Sequence, residues 1–447
     1  MFCNYGIGGM QMGIKVAKFG GTSLADASAF QRVRDIVLSD PSRRYVVPSA
    51  PGKRNAGDVK ITDMLYQCYK LAQRKEPCTE VFDRISERFG GIIRELGLDY
   101  DLSPMLAETF EKIASGSPDY AASRGEYFSG LILSRLLGWD FIDPADVFKF
   151  DRQGHFASEW SNQLLSERLE KHECAVIPGF YGSLPNGEIK TFSRGGSDIS
   201  GAVVARAAGA DLYENWTDVS GFLMADPRIV DNPRTIDRLT YRELRELSYM
   251  GATVLHEDSI FPVRKAGIPT NIRNTFKPEH PGTMIVVRDE ECPTGSTITG
   301  IAGHKNFTLL SIEKAMMNSE IGFGRRVLQS IEDFGMSFEH LPTGIDTMCV
   351  ILADGELMGR RDQVVERIEE TCHPDSIELN GGLALIATVG RGMVRQKGTA
   401  ARLFGALAKA DINVRMIDQG SSELNIIVGV DIEEFEKAVR AIYNEFV

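Results

Sequence analysis

The sequence predicts an α/β protein in which a mainly parallel sheet lies between helices and is followed by two small βαββ modules. One observation behind this prediction is a series of short apolar runs, at residues 14–19, 45–47 and 175–177, that alternate with amphipathic segments. Such continuous apolar runs are typical of strands buried on both faces of a parallel sheet. The other observation is an internal repeat in about the last 140 residues.

The first predicted strand, 14–19, leads into a turn, Gly20-Gly21-Thr22-Ser23, and then into a helix over residues 27–38. The helix is predicted because its apolar side chains recur along one stripe, and Asp26 or Ser23 is expected to cap it. Ligands of α/β proteins gather at the carboxyl ends of the strands. The turn is therefore a candidate binding loop.

The later apolar runs follow the same plan. The strand at 45–47 breaks at Pro48-Ser49-Ala50-Pro51-Gly52, and the strand at 175–177 leads into a hairpin-like segment at 178–182. A second Gly-Gly pair then precedes a helix predicted over residues 199–208. These breaks place further candidate loops at the same edge of the sheet.

The C-terminal repeat appears when the chain is shifted by 76 positions, which places Phe307 on Leu383. One register, without a gap, aligns a strand, a helix and two further strands, with turns at 334–335 and 410–411. Chance agreement of apolar positions is the alternative. We interpret the pattern as a tandem βαββ duplication of a regulatory-type module.

Composition excludes several classes of protein. The 447 residues carry 50 Lys+Arg and 62 Asp+Glu, a net charge of −12, whereas nucleic-acid binding needs a basic surface. The seven cysteines are scattered without a CxxC pair, and no metal-ligand spacing of histidines occurs. No apolar run is long enough to cross a membrane. We expect a cytoplasmic protein without a resident metal site, a nucleic-acid partner or a membrane partner.

The segment Lys18-Phe19-Gly20-Gly21-Thr22-Ser23 is the first candidate for chemistry. Paired glycines let successive N–H groups point into one concavity that binds anions, and the helix behind it adds a favourable dipole. Lys18 supplies a full positive charge. Taken by itself, a Gly-Gly turn between a strand and a helix is also an ordinary structural feature.

Two further segments strengthen the phosphate interpretation. Arg194-Gly195-Gly196-Ser197-Asp198 carries a guanidinium, a hydroxyl and a carboxylate on a second Gly-Gly loop, although Asp198 is alternatively a helix N-cap. The third segment, 216–228, is rich in Asp and Arg and is alternatively a plain connection. Together the three segments favour a site for nucleotide phosphates.

Six segments occur in the order KFGGTS, GFYGS, RGGSD, WTDVSG, ADPR and GATVLH. With these segments in this order, the chain resembles aspartate kinase of the amino-acid kinase family over about residues 14–447. The repeated modules resemble its paired ACT domains. The resemblance implies a catalytic domain at 14–300, one ACT-like module at 301–380 and another at 381–447. It also implies phosphorylation of the L-aspartate β-carboxylate by Mg·ATP, the first step of lysine, threonine and methionine biosynthesis.

The resemblance also implies residue roles. For the ATP site it implies Lys18, Gly20, Gly21, Thr22, Ser23, Thr217, Asp218, Asp226 and Arg228. For the aspartate site it implies Ser49, Thr62, Glu126, Phe180, Arg194, Ser197 and Asp198, with Lys18, Arg194 and Asp198 as the catalytic group. Glu126 suits the substrate ammonium, although its carboxylate alternatively favours the N-terminus of a helix beginning near Arg124.

Two positions depart from the family pattern. Thr253 stands where the family often has a lysine that touches the nucleotide, and Leu223 replaces a common aromatic residue. Arg228 or Lys265 is a candidate to compensate. The expected mechanism is direct in-line transfer without a phosphoenzyme, since the aspartate β-carboxylate is already ionised at neutral pH.

The ACT-like modules imply feedback by an amino acid, with lysine expected first and threonine next. Phe323, Gly324, Glu339 and Asp346 are the effector-site candidates, although the glycines of that loop alternatively serve only as a helix entry. A homodimer or homotetramer through these modules is expected. The rival functions are another amino-acid-kinase enzyme, acting on glutamate, acetylglutamate, carbamate or UMP, and a catalytically silent amino-acid sensor.

Overall fold

The computed structural model describes residues 13–193, 195–252, 255, 257–288 and 295–447, apart from the side chains of residues 257 and 258. Its described residues form two compact units. The first contains 13–222, 237–241 and 255–288, and the second contains 223–236, 242–252 and 295–447.

The first part of the chain alternates strands and helices. Its strands are β1 (Lys15–Phe19), β2 (Arg43–Pro48), β3 (Asp140–Phe141), β4 (Ala175–Val176), β5 (Tyr181–Ser183), β6 (Ile189–Thr191), β7 (Leu212–Thr217), β8 (Arg238–Thr240), β9 (Thr270–Asn274) and β10 (Thr283–Val286). Its helices are α1 (Ala27–Leu38), α2 (Ile61–Gln73), α3 (Thr79–Leu96), α4 (Ser103–Ile113), α5 (Pro118–Leu137), α6 (Pro144–Val147), α7 (Ser158–Leu169), α8 (Gly196–Ala207), α9 (Tyr241–Tyr249) and α10 (Phe261–Ala266).

An eight-stranded sheet organises the first unit, in the order β3-β4-β2-β1-β7-β9-β10-β8. All neighbouring pairs are parallel except β9 and β10. β1 lies between β2 and β7, so that Lys18 is in register with Val47 on one side and Asn215 on the other. The carboxyl ends of these three strands therefore bring their following loops together, as predicted for a parallel sheet.

Helices cover both faces of this sheet. Ala17 and Phe19 of β1 point into a core formed with α1–α5, which includes Phe30, Phe89 and Phe128. Because side chains alternate along a strand, Lys18 points to the other face, where α8 packs on β1, β2 and β7. The predicted sandwich of helices around a mainly parallel sheet is confirmed.

Two helices differ from the sequence predictions at their starts. α8 begins at Gly196 rather than at residue 199, because Gly195 adopts a left-handed conformation (φ 57°) and serves as the N-cap. Asp198 is therefore in the first turn, and its interpretation as N-cap was wrong. α5 begins at Pro118, so Glu126 lies in the middle of a helix, and the alternative that Glu126 favours a helix N-terminus was also wrong.

The second unit contains a five-stranded antiparallel sheet in the order β12-β11-β13-β15-β14. Its strands are β11 (Gly300–Glu313), β12 (Thr347–Ala353), β13 (Ser376–Val389), β14 (Met416–Asp418) and β15 (Asn425–Asp431). Its helices are α11 (Phe323–Glu332), α12 (Asp354–Leu357), α13 (Arg361–Cys372), α14 (Thr399–Lys409) and α15 (Phe435–Phe446).

The structure of this unit shows the predicted repeat. β11, α11 and β12 correspond to β13, α14 and β15, and the repeated positions Val327 and Leu403 are both fully buried. β11 and β13 are long strands that pair with each other along most of their length. The pairing of β11 with β13 is irregular near Lys305–Leu309. After this irregularity, β11 also pairs with β12 through residues 307–313. On β13, residues 383–389 also pair with β15.

Among the residues that the structure describes, no helix is both long enough and apolar enough to cross a membrane.

Candidate active site

The turn after β1 is held against the neighbouring loop by close backbone contact. A Cβ atom on Gly21 would lie 2.9 Å from the Ala50 carbonyl oxygen, and one on Gly52 would lie 2.7 Å from the Gly21 carbonyl carbon. The Gly52 N–H donates to the Gly21 carbonyl at 2.8 Å. These glycines are required because the two loops leave no room for a side chain between them.

Lys18 lies at the centre of the candidate site. Its buried ammonium is 2.6 Å from Oδ1 of Asp198, in the first turn of α8, and 3.4 Å from Oδ1 of Asn215 on β7. The Asn215 amide donates to the same Asp198 oxygen at 2.8 Å. The KFGGTS segment and the start of α8 therefore face each other at one edge of the sheet.

Phe180 connects this group with the end of β2. Its backbone has a positive φ of 81°, which is unusual for a bulky residue and is typical of functional sites. The Phe180 N–H donates to Ser200 Oγ at 2.9 Å, and the preceding Gly179 N–H donates to the Pro48 carbonyl at 3.1 Å. A Cβ on Gly179 would lie 2.9 Å from Ser197. The chain thus brings Phe180 and Ser197 close to the loop that begins at Ser49.

Glu126 has the environment of a cation-binding carboxylate. Glu126 is 5% exposed, and its Oε2 atom has no hydrogen-bond partner among the described residues. The next residue back, Gly125, packs so closely that its Cβ would lie 2.7 Å from the Ala50 side chain. Burial raises the pKa of Glu126 to about 8, opposed by the backbone amides of Ala50 and Glu126. An ammonium ligand would donate to the unpaired oxygen and would favour the ionised form of the carboxyl group.

The remaining candidates of the first unit lie at the same edge. Ser49 is buried just after β2, and Thr62 is the second residue of α2 and partly buried. Thr217 ends β7, and its hydroxyl donates to Asp218 at 3.2 Å. Thr22 is exposed in the turn.

Sequence reasoning missed two residues that organise the site. Asn215 bonds both partners of the central ion pair, as described above. Thr275 donates its N–H to the Thr217 carbonyl at 2.9 Å, and its hydroxyl lies 2.7 Å from that of Ser23. The available signal was a polar residue inside a buried strand for Asn215 and a polar residue directly after a buried strand for Thr275.

Other predicted residues make contacts with partners outside the central group. Asp226 and Arg228 belong to the second unit and pair with each other at 2.6 Å, and the Arg228 side chain is 87% exposed. Lys265, on α10, is bonded to Glu159 at 2.9 Å, and Leu223 forms a bridge with Thr235 in the second unit. Arg194 and Thr253 lie outside the described residues.

The effector candidates lie in the second unit. Phe323 is the first residue of α11, after Gly322 (φ 82°), and its side chain is buried in the module core, so only its backbone is available to a ligand. Glu339 accepts a hydrogen bond from Tyr249, and Asp346 accepts one from the Met316 N–H at 2.8 Å. Gly324 follows in the first turn of α11.

A model of the amino acid kinase family matches residues 13–274, more than half of the chain, and a model of the ACT domain matches residues 386–446. Aspartokinase 3 of Bacillus subtilis is 38% identical over 449 residues, which cover 97% of this chain and 98% of that protein. This chain belongs to the aspartokinases of the amino acid kinase family. The family, the fold class and the phosphotransferase function predicted from the sequence are thereby confirmed.

Solved structures agree with membership of the aspartokinases. Aspartate kinase of Clostridium acetobutylicum has a TM-score of 0.90 and 52% identity, covering 97% of this chain and all of that chain. Aspartokinase III of E. coli, in complex with aspartate and ADP in an R-state, has a TM-score of 0.72 and 27% identity over 97% and 99% of the two chains. The same E. coli enzyme with lysine and aspartate, in a T-state, has 28% identity and the same TM-score.

Proposed function

We propose that this aspartokinase transfers the γ-phosphoryl group of Mg·ATP to the β-carboxylate of L-aspartate, giving 4-phospho-L-aspartate and ADP. The observation that carries the proposal is the position of Lys18, whose ammonium lies between the glycine turn after β1 and the N-terminus of α8. The complex of the E. coli relative with aspartate and ADP supports both substrates.

The chemistry needs charge neutralisation rather than a base. The β-carboxyl group of free aspartate has a pKa of about 3.9 and is ionised at neutral pH. The difficulty is the repulsion between this carboxylate and the triphosphate, which positioned cations and N–H groups can offset. Lys18 has this role together with the N–H groups of Gly21 and Thr22, since the N–H groups of Gly20 and Ser23 already donate to the Trp216 and Gly20 carbonyls. Asp198 and Asn215 hold the ammonium in place.

The aspartate pocket combines charges of both signs. Glu126 pairs with the substrate ammonium, which its unsatisfied Oε2 atom favours. Because its pKa is raised in the free protein, binding of the ammonium must shift the group to its ionised form. By family resemblance Arg194 binds a substrate carboxylate, and Ser49, Thr62, Phe180 and Ser197 line the pocket. Thr217 and Asp218 border the nucleotide. The nucleotide role expected of Asp226 and Arg228 stays a prediction.

Magnesium enters this proposal with the nucleotide. Among the described residues there is no group of three His, Cys, Asp or Glu side chains that could hold a metal ion, and Mg²⁺ in kinases is commonly bound by phosphate oxygens, water and one or two carboxylates. Asp218, which is exposed after β7, is the carboxylate that fits such a role, since Asp198 already pairs with Lys18. When bound, the ion would neutralise triphosphate charge.

The deciding experiment is a coupled assay of ADP release with Mg·ATP and a panel of acceptors. Aspartate-dependent turnover is expected, with glutamate, acetylglutamate, carbamate and UMP near background. Turnover with one of these instead would assign another amino-acid-kinase reaction. Absence of turnover with every acceptor, together with amino-acid binding, would favour the silent sensor.

Regulation is proposed at the ACT modules, with lysine as the first candidate effector and threonine as the second. The lysine complex of the E. coli relative in its T-state supports this order. Phe323, Gly324, Glu339 and Asp346 stay the candidate contacts.

We also propose a homodimer or homotetramer through these modules, which light scattering after size-exclusion chromatography would test. The domain boundaries near residues 300 and 380 and the cytoplasmic location stay predictions.

A further inference from the structure

One buried guanidinium on α3 bonds to two loops of the candidate site at once. Arg88 Nη2 donates to the carbonyl oxygens of Ala25 and Gly52 at 2.7 Å and 2.8 Å, and Nε donates a second bond to Ala25 at 3.1 Å. The Arg88 side chain is 5% exposed. These bonds are therefore shielded from competing water.

The two bonded carbonyls belong to loops with different proposed ligands. Ala25 directly follows the turn Gly21–Leu24, which is the proposed phosphate loop. Gly52 belongs to the loop between Ser49 and Thr62, which is proposed to bind aspartate. The loops also meet directly where Gly21 packs against Ala50 and Gly52, and where the Gly52 N–H donates to the Gly21 carbonyl.

Asp58 orients the guanidinium. Its Oδ2 atom accepts from Arg88 Nη1 at 2.7 Å, and its carboxylate also accepts from the side chain and the N–H of Arg54. The bonds from Arg54 first, and those from Arg88 next, hold the pKa of Asp58 well below its usual range. Asp58 therefore stays ionised, and it fixes Arg88 from within the same aspartate-side loop.

We infer that Arg88 is a positioning residue for phosphoryl transfer, which sets the distance between the bound aspartate and the bound triphosphate by joining their two loops. The inference rests on the proposed function. A planar fork of donors suits this task because it can reach several acceptors in fixed directions, whereas an ammonium cannot span them in the same way. Each loop can still bind its own ligand without Arg88, but their mutual alignment is lost.

The test compares kcat and KM in folded variants. Arg88→Ala is expected to lower kcat about 100-fold while each KM changes by less than about threefold, because misalignment of about 1 Å costs this much in rate. Arg88→Lys is expected to lose about tenfold in kcat. Added methylguanidinium should restore part of the kcat of Arg88→Ala. The matched control is Arg84→Ala, an exposed arginine one turn earlier on α3, for which near wild-type kcat is expected.

The outcomes separate positioning from mere support of the fold. If folded Arg88→Ala melts at a lower temperature but keeps its kcat, the inference is overturned, since Arg88 would then only stabilise the loops. If Arg88→Ala does not fold, unchanged kcat in folded Arg88→Lys overturns it equally. Wild-type protein in the same assay distinguishes this failure from that of the proposed function, because an inactive wild type would refute the reaction itself.

Discussion

Lys18 shows how a single charge is held ready at a binding site. Its side chain is 9% exposed, and its ammonium is bonded by Asp198 and Asn215. The same arrangement fixes the direction of the ammonium before any ligand arrives. Preorganisation of this kind is the largest contribution that a protein usually makes to stabilising developing charge.

We expect Lys18→Met to lower kcat by at least about 100-fold, since the variant removes the cation and leaves Asp198 to repel the triphosphate. Methionine keeps the apolar stem, so circular dichroism should show an intact fold. The control is Lys15→Met, which removes a partly exposed lysine from the same strand, where it pairs with Asp40. Near-normal turnover of Lys18→Met would contradict the role.

Glu126 is predicted to make the stability of the folded protein depend on pH. Its pKa in the folded protein is about 8, against an ordinary value of 4.5. Because the folded value is raised, its contribution to stability is fully present below pH 4.5 and is lost as the pH rises towards 8. Glu126→Gln should therefore melt at a higher temperature than the wild type at pH 8, with little difference near pH 4.5.

The same variant should raise the KM for aspartate, because an amide cannot neutralise the substrate ammonium. Scanning calorimetry across pH and steady-state kinetics measure the two effects. Glu111→Gln, an exposed position on α4, is the control. An equal shift of melting temperature at pH 5 and pH 8 would argue against a buried, protonated Glu126.

At the scale of elements, the sequence predicted local structure well where one residue decides it. α1 spans Ala27–Leu38 as predicted, because Asp26 caps it by accepting from the Ala29 N–H at 2.9 Å. The start of α8 was predicted three residues late, since the helix begins directly after Gly195 in a left-handed conformation, and Gly196 packs against Phe180, a residue distant in sequence. The role of Arg88 depends on contacts between residues far apart in sequence, for which no local pattern exists.

The close approach of the two loops gives an element-scale prediction. Gly52→Ala should raise the KM for ATP and lower the stability by about 1–3 kcal/mol, because the new methyl group would overlap the backbone of the turn after β1. Gly57→Ala in the same loop is the control, since its Cβ would meet only the Asn55 side chain, at 3.5 Å. Equal ATP kinetics and thermal stability in both variants would contradict the packing argument.

At the scale of the whole molecule, the repeat was visible in the sequence because buried positions recur in one register. The pairing of β11 with β13 was not visible in the sequence. A shift of 76 residues aligns the two copies but does not indicate how their strands pair. Segments 223–236 and 242–252 also cluster with the second unit although they precede the repeat. Glu243 and Glu246, on α9, accept hydrogen bonds from Thr299 and Asn425 of that unit.

We expect L-lysine to inhibit turnover and to raise the melting temperature, since a ligand that binds only the folded state adds about 2.7 kcal/mol at 100 times its Kd. Threonine is the second compound to test, and D-lysine is the control for ionic effects. Differential scanning fluorimetry and the ADP-release assay measure both changes. Lysine without effect on either would refute lysine as the effector.

The pairing of β11 with β13 has a consequence for how the two C-terminal modules can evolve. Each strand supplies residues to both copies of the repeat, so deleting one copy would strip the other of an edge and expose its hydrogen-bonding groups. The two halves of the duplication are therefore expected to be gained or lost as a pair, and to unfold in a single step.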